Sequence, residues 1–341
     1  MSFLPVRQRT PVQRYAFYSQ PPKGKRPVYT DLDDFHIILD DCFICLTLYG
    51  NLWSKGLSIG NEKNRDLFCI YPAYSYLCSM NMNLEQITLK VCDVAQQAGA
   101  YIRKERAGFS QEKVERKHQH DYVSYVDKNS ERMIVEALKE LLPEAGFITE
   151  EGLASHTDEQ YLWVVDPLDG TTNFIHGFAP YAVSIALIKG SEILIGVVYE
   201  VYADECFYAW KGGGAWLDGL AIHVGHSELN DALLCFQLPY NSEAYKPIVA
   251  RLINHFYGRV GSIRMIGSAA MALCYVAAGR LDGYAERYIG QWDYMAGALI
   301  VMEADGKVTN YAGSDDFTQG DSIVATNGIV HHDIMSQLEV Q

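Results

Sequence analysis

Apolar residues recur at helical spacing from Ile87 through Val91, Val94, Ala95 and Ala98 to Ile102. Asn83 stands ahead of them, with Gln86 three positions on. This is a single buried stripe on a helix with a side-chain cap at its start. A second stripe, Ile134, Leu138, Leu141 and Leu142, predicts a helix over about 129–142 that Pro143 stops. Short apolar runs then replace the helical period and predict strands at 146–149, 161–165, 181–189, 193–201 and 205–210, with Gly212-Gly213-Gly214 and Asp218-Gly219 as turns. Beyond 220, strands at 233–237, 262–265, 283–286 and 322–326 are mixed with helices at 245–256, 268–278 and 293–304. The order predicts an α+β lobe over 82–220 followed by an α/β lobe over 221–341, layered as helices and sheets.

Residues 1–81 do not share this regularity. Residues 1–30 carry six Lys or Arg, no Asp or Glu and several prolines, and 31–80 are rich in Tyr, Phe, Leu and Cys without a sustained period. The expectation is an N-terminal extension, weakly ordered or a mis-assigned start, with the globular protein beginning near Met82. A small extra domain is the alternative.

Composition narrows the function classes. Of 341 residues 49% are hydrophobic and 21% charged, as in ordinary globular proteins. A net charge of −14 argues against a nucleic-acid or anionic-membrane surface. No apolar run is long enough to span a bilayer. Cys92, Cys206, Cys235 and Cys274 are scattered singly in apolar surroundings, as reduced core cysteines are. Cys42 and Cys45 resemble half a zinc site, but Cys69 and Cys78 do not supply a second close pair. A reduced, cytoplasmic protein is expected.

The chemistry concentrates in WVVDPLDGTTNF, residues 163–174. A buried strand delivers Asp166 and Asp169 to its end, Pro167 fixes the backbone between them, and Gly170, Thr171 and Thr172 follow in a turn. Paired carboxylates repel unless a cation lies between them, and free N–H groups beyond them favour phosphate. Singly, the other acids are weak signals. Glu150 could begin a solvated loop, Asp127 and Asp293 could cap helices, Asp169 could cap the next helix, and Glu286 could be a rim charge. Jointly they fall at strand ends and helix starts, where loops converge. Carboxylates and carbonyls without Cys or His suit Mg²⁺ rather than Zn²⁺, and two such ions about 4 Å apart can activate water and clamp a phosphoryl group.

With FITEEG (147–152), GSAAMALCYVAAGRLDGYAE (267–286) and WDYMAGALIVMEADG (292–306), the dodecapeptide resembles the inositol monophosphatase family of lithium-sensitive, magnesium-dependent phosphatases. The resemblance spans about 82 to the C-terminus. It implies an αβαβα layered sandwich of two lobes with the site between them, normally a homodimer. It implies Mg²⁺, two or three ions per site, with Mn²⁺ as a substitute. Glu150, Asp166 and the Leu168 carbonyl would hold one ion, and Asp166, Asp169 and Asp293 another. Thr171, paired with Asp127, would help Glu150 orient and deprotonate the attacking water. Gly170, Thr171 and Thr172 would cradle the phosphate. Glu286, Asp169, Asp293 and the turn Gly267-Ser268-Ala269 would contact substrate, a small phosphorylated polyol, with myo-inositol 1-phosphate first.

The sequence departs from the family at Met295, where a small residue is usual, at Asp305-Gly306 in place of Gly-Gly, and at Gly290-Gln291 near the substrate. The loop between Glu151 and Tyr161 is also short. Fructose-1,6-bisphosphatase and 3′-phosphoadenosine 5′-phosphate phosphatase are the alternatives within the class; no segment for base stacking stands out. A regulatory binding protein on the same fold would be signalled by loss of a metal ligand, and every expected acid is present. A calcium-binding structural domain would need alternating ligands and a closing bidentate Glu, which DPLDG lacks.

Overall fold

Asn83 accepts a hydrogen bond from the Gln86 backbone N–H at 3.1 Å, and the helix behind it, α1 (Leu84–Ala107), buries the predicted stripe of Val91, Ala95, Ala98 and Ile102. The structure is a computed structural model that describes residues 83–341 apart from 110–113, 119–120, 155–158, 239–241, 319 and 339–341. The expected N-terminal extension, with Cys42, Cys45, Cys69 and Cys78, lies outside the described residues. The hairpin β1 (Val114–His118) and β2 (Asp121–Ser124) follows, which the sequence pattern did not announce. Helix α2 (Tyr125–Leu141) starts earlier than expected. Ser124 caps it, and the Asp127 carboxylate accepts from the Ser124 backbone N–H at 2.9 Å, closing a capping box.

Seven strands form one sheet in chain order: β3 (Gly146–Thr149), β4 (Leu162–Asp169), β5 (Ala182–Lys189), β6 (Glu192–Glu200), β7 (Glu205–Trp210), β8 (Ala215–Leu217) and β9 (Leu220–Ile222). β3 and β4 are parallel and the remaining neighbours antiparallel. The turn residues Asp218-Gly219 join β8 to β9, two strands too short for a sequence period. β4 runs further than the expected 161–165. Its register against β5 slips between Asp166 and Asp169, a bulge that absorbs Pro167, which has no N–H to give the ladder.

The second sheet has the order β11 (Ser262–Arg264), β10 (Leu233–Phe236), β12 (Gly283–Arg287), β14 (Ser322–Thr326), β13 (Lys307–Thr309). α5 (Ala269–Ala277) and α6 (Gln291–Glu303) are apolar almost all round, and their residues share one core with the inner faces of both sheets. α1 and α2 cover the outer face of the first sheet through a second core. α4 (Ser242–Phe256) and α7 (His331–Leu338) cover the outer face of the second through a third. The result is the αβαβα sandwich. Met295 is fully buried in the central layer, and Asp305 takes a left-handed φ of 67°, which Asp adopts more readily than most residues. No helix among the described residues is long and apolar enough to cross a membrane.

Candidate active site

The parallel pairing of β3 with β4 sets Thr149 against Val165, and the Glu150 N–H continues the ladder to the Val165 carbonyl at 3.1 Å. Glu150 therefore comes level with Asp166 at the carboxyl ends of the two strands, where open α/β sheets place ligands. Glu131 of α2, fully buried, accepts from the Thr149 hydroxyl and from the Glu151 and Leu153 N–H groups, each at 2.8 Å. It fixes the loop that carries Glu150. The Asp166 carboxylate accepts from the Leu168 N–H at 2.9 Å across the bulge.

Beyond Asp169 the chain turns at Gly170, whose φ of 84° is left-handed. A Cβ there would lie 3.1 Å from the Pro180 carbonyl oxygen and 3.2 Å from that of Gly267. Glycine is required by both counts. Gly170 is the N-cap of α3 (Thr171–His176), so Asp169 does not cap this helix. Asp169 instead accepts from the Ser268 hydroxyl, from the Ala270 N–H at 2.9 Å and from the Ala269 N–H at 3.3 Å. One strand-end carboxylate of the first sheet thus anchors the start of α5. Asp293 is likewise not the cap but the third residue of α6, accepting from the Gly290 N–H at 2.6 Å.

Asp166, Asp169 and Asp293 each present an oxygen within 4.8 Å of the others. None of the three has a Lys, Arg or His partner among the described residues. Burial, then repulsion from Glu150, Asp169 and Asp293, holds the Asp166 carboxyl well above the usual range. Asp293 is held well above it by desolvation and by Asp169, Glu150 and Glu286. Burial pushes Asp169 up to about 6 against the opposing bonds from Ser268, Ala270 and Ala269. Such a cluster lacks positive charge, and an oxygen-only donor set suits a hard divalent cation. The residues therefore fit a metal ion.

These acids open into a cavity of about 400 Å³, a size suited to a small ligand. Its wall includes Glu150, Asp166, Leu168, Asp169, Gly170, Thr171 and Thr172. The second half of the molecule adds Gly267, Ser268, Ala269, Glu286 and Asp293. Asp127 is not on the wall. It reaches the site through Thr171, whose Oγ1 lies 2.9 Å from Asp127 Oδ1 and 2.9 Å from the Leu168 carbonyl oxygen. Glu286 is buried, not a rim charge; it accepts from the Tyr284 hydroxyl at 2.6 Å, and burial raises it to about 8. Sequence reasoning gave no task to Asn173, Gln237, Leu238, Tyr288 and Ile289, which also line the cavity. Asn173 lay inside the dodecapeptide, and Gln237, like Glu286, follows an apolar strand run. Its side-chain nitrogen placed by the Pro180 and Ile266 carbonyls at 2.8 Å, Asn173 holds the two halves of the wall together.

Residues 83–340 match the sequence pattern of the inositol monophosphatase family. The chain belongs to the inositol monophosphatase family. Members are phosphoric monoester hydrolases, and the chain is accordingly a phosphatase. It is 38% identical over 72% of its length to a fructose-1,6-bisphosphatase/inositol-1-monophosphatase of Aquifex aeolicus, covering 93% of that protein. It is 37% identical over 68% of its length to a protein of Vibrio cholerae called Nus factor SuhB, covering 88% of it. In three dimensions it is similar to the extragenic suppressor protein suhB of Bartonella henselae, with a TM-score of 0.68 and 34% identity over 76% of this chain and 98% of the other.

Proposed function

We propose that the protein hydrolyses a phosphate monoester of a small polyol with Mg²⁺, myo-inositol 1-phosphate being the first substrate to test. The observation that carries this reading is the convergence of Asp166, Asp169 and Asp293 on one point beside the Gly170–Thr172 turn. Asp166 and Glu150, with the Leu168 carbonyl, would hold one ion, and Asp166, Asp169 and Asp293 another; Mn²⁺ would be a substitute. Bound Mg²⁺ supplies the positive charge that activates water and offsets charge on the phosphoryl and leaving oxygens.

The chain's own groups do the rest. Thr171 donates its hydroxyl proton to Asp127, which leaves an oxygen lone pair free to accept from the attacking water. Glu150 orients that water and takes its proton. The N–H groups of Gly170, Thr171 and Thr172, unspent at the first turn of α3, receive the phosphate oxygens. The water oxygen bonds to phosphorus, the ester P–O bond breaks, and the leaving alkoxide takes a proton from solvent water while Glu150 releases to solvent the one it accepted. No covalent enzyme intermediate arises. Glu286 and the Gly267–Ala269 turn contact the hydroxyls of the leaving alcohol, each lobe contributing one side of the site in a homodimeric enzyme.

Tyr288, Leu238 and Ile289 give the cavity an aromatic and apolar edge that suits a nucleoside as well. The test is therefore phosphate release with Mg²⁺ from inositol 1-phosphate, fructose 1,6-bisphosphate and 3′-phosphoadenosine 5′-phosphate side by side. Inositol 1-phosphate is expected to give the highest kcat/KM. Absence of turnover on all three would remove the proposal.

A further inference from the structure

The mechanism leaves one polar side chain of the cavity wall without a task. β10 and β12 run parallel with Phe236 paired to Ala285, so the next residues, Gln237 and Glu286, stand side by side at the strands' carboxyl ends. Neighbouring strands are about 4.8 Å apart, and both residues line the cavity. Gln237 Oε1 accepts the N–H groups of Ile266 and Gly267, each at 3.1 Å. These two donors decide which end of the amide is oxygen, since the reversed amide would set N–H against N–H. Nε2 then points away from the turn. It has no acceptor among the described residues and is not sealed from solvent, so its N–H groups open on the cavity. A donor without a partner and a carboxylate thus share one wall.

We propose that Gln237 is a specificity-determining residue: Nε2 donates to a hydroxyl oxygen of the leaving alcohol, while Glu286 accepts from that hydroxyl or its ring neighbour. This rests on the phosphatase reading above and sharpens its substrate class. A hydroxyl both donates and accepts, so it satisfies the pair; an alcohol without one leaves two buried polar groups unmatched, which is how a site rejects the simpler analogue. The class selected is a phosphate ester whose alcohol carries a further free hydroxyl. Alkyl and aryl phosphates are disfavoured.

Gln237→Glu separates this role from simple support of the Gly267 turn. It keeps an oxygen for the Ile266 and Gly267 N–H groups but replaces the donor with an acceptor beside Glu286. With Mg²⁺, the KM for inositol 1-phosphate is expected to rise about tenfold, the worth of one hydrogen bond to substrate. Its kcat/KM should fall at least about fivefold further than that for phenyl phosphate. Equal losses on the two esters, or an unchanged KM, would overturn the role. The native protein provides a test that needs no variant. Among inositol 1-phosphates lacking one hydroxyl, at least one is expected to lose about tenfold in kcat/KM. Indifference to every deoxy analogue overturns the Gln237 role while the phosphatase reading stands. A native protein inert toward every ester removes both.

Discussion

Thr171 and Asp127 lie 44 residues apart in the chain, and their side chains meet, Oγ1 of Thr171 standing 2.9 Å from Oδ1 of Asp127. The other Asp127 oxygen is occupied by the Ser124 N–H and hydroxyl at 2.9 and 2.6 Å. One carboxylate therefore closes the capping box of α2 and aims a hydroxyl of the first sheet's active end. Burial raises the Asp127 carboxyl, and the bonds from Ser124 and Thr171 counter that rise. Thr171→Val, which keeps shape and removes the hydroxyl, is expected to lower kcat about a hundredfold with little change in melting temperature. Asp127→Asn should lower kcat similarly and also cost about 1 kcal/mol from the weakened cap. Because the two act as a unit, the double variant should lose little more activity than either alone. Full multiplicativity in steady-state kinetics would show that they act separately.

Asp166 sits at the centre of the acidic cluster, buried beside Glu150, Asp169 and Asp293. Asp166→Asn removes the charge shared by both proposed ions and relieves repulsion among the carboxylates once metal is chelated. Turnover is expected to fall to background, and the rise in melting temperature expected of the native protein on adding Mg²⁺ should be absent from the variant. In EDTA the variant should melt higher than the native chain. Near-native activity would refute the assignment, and a lower melting point in EDTA would refute that electrostatic account.

Most strands and helices were legible in the chain because their apolar residues recur at strand or helix periods, while the αβαβα order of the layers came from the family resemblance. β3, β7 and β14 begin and end where the pattern places them. Elements without a period were missed: the hairpin of β1 and β2, the three-residue strands β8, β9 and β13, and the helices α3 and α7. The carboxylates were legible for a different reason. Asp166 and Asp169 stand out as a pair closing one apolar run, whereas Glu286 alone reads as a rim charge and is named only with the other acids and through the family resemblance. Glu131 does not stand out, since a Glu inside an amphipathic helix reads as solvated until the fold shows it buried. Gln237 escaped because a neutral amide at a strand end carries no charge to draw attention.

Glu131 holds three donors of the loop that carries Glu150. In Glu131→Gln one oxygen becomes an NH₂ group that faces a donor, leaving at least one part-buried donor unmet, which costs about 1 kcal/mol. Once the loop loosens, Glu150 is no longer fixed level with Asp166. The half-saturating Mg²⁺ concentration is then expected to rise several-fold while the KM for substrate changes less. Chemical denaturation and Mg²⁺ titration of activity measure the two effects. An unchanged metal requirement would confine Glu131 to stability alone.

Glu286 carries a pKa of about 8, raised by burial and by Asp169 against the Tyr284 hydrogen bond. Its ordinary value lies near 4.5. A carboxyl raised on folding stabilises the native state fully below the unfolded value, and that contribution is lost as pH rises through about 8. Glu286→Gln removes the loss. In EDTA the variant should therefore gain stability over the native protein between pH 5 and 8, by about 1–3 kcal/mol at neutral pH. The same substitution should impair choice among phosphate esters more than the Mg²⁺ requirement. A rise in that requirement with unchanged ester preference would contradict the role given to Glu286.

His331 tests the fold far from the acids. Its ring joins the edge strand β13 to its neighbour β14, Nε2 lying 3.0 Å from the Thr309 hydroxyl and Nδ1 3.0 Å from that of Thr326. Burial lowers its pKa to about 4, with Lys307 adding to the fall and Asp315 opposing it. A neutral imidazole fits because one nitrogen donates and the other accepts, and each threonine hydroxyl can do the complementary half. A histidine depressed on folding contributes stability in full above the unfolded value of 6.5, and that contribution is lost as pH falls toward about 4. Allowing for partial solvent screening, the loss is about 1–2 kcal/mol. Urea denaturation at pH 7 and pH 5 should show it, and His331→Gln, which cannot titrate, should lose less stability over that interval. The same loss in both proteins would assign the acid sensitivity to carboxylates instead.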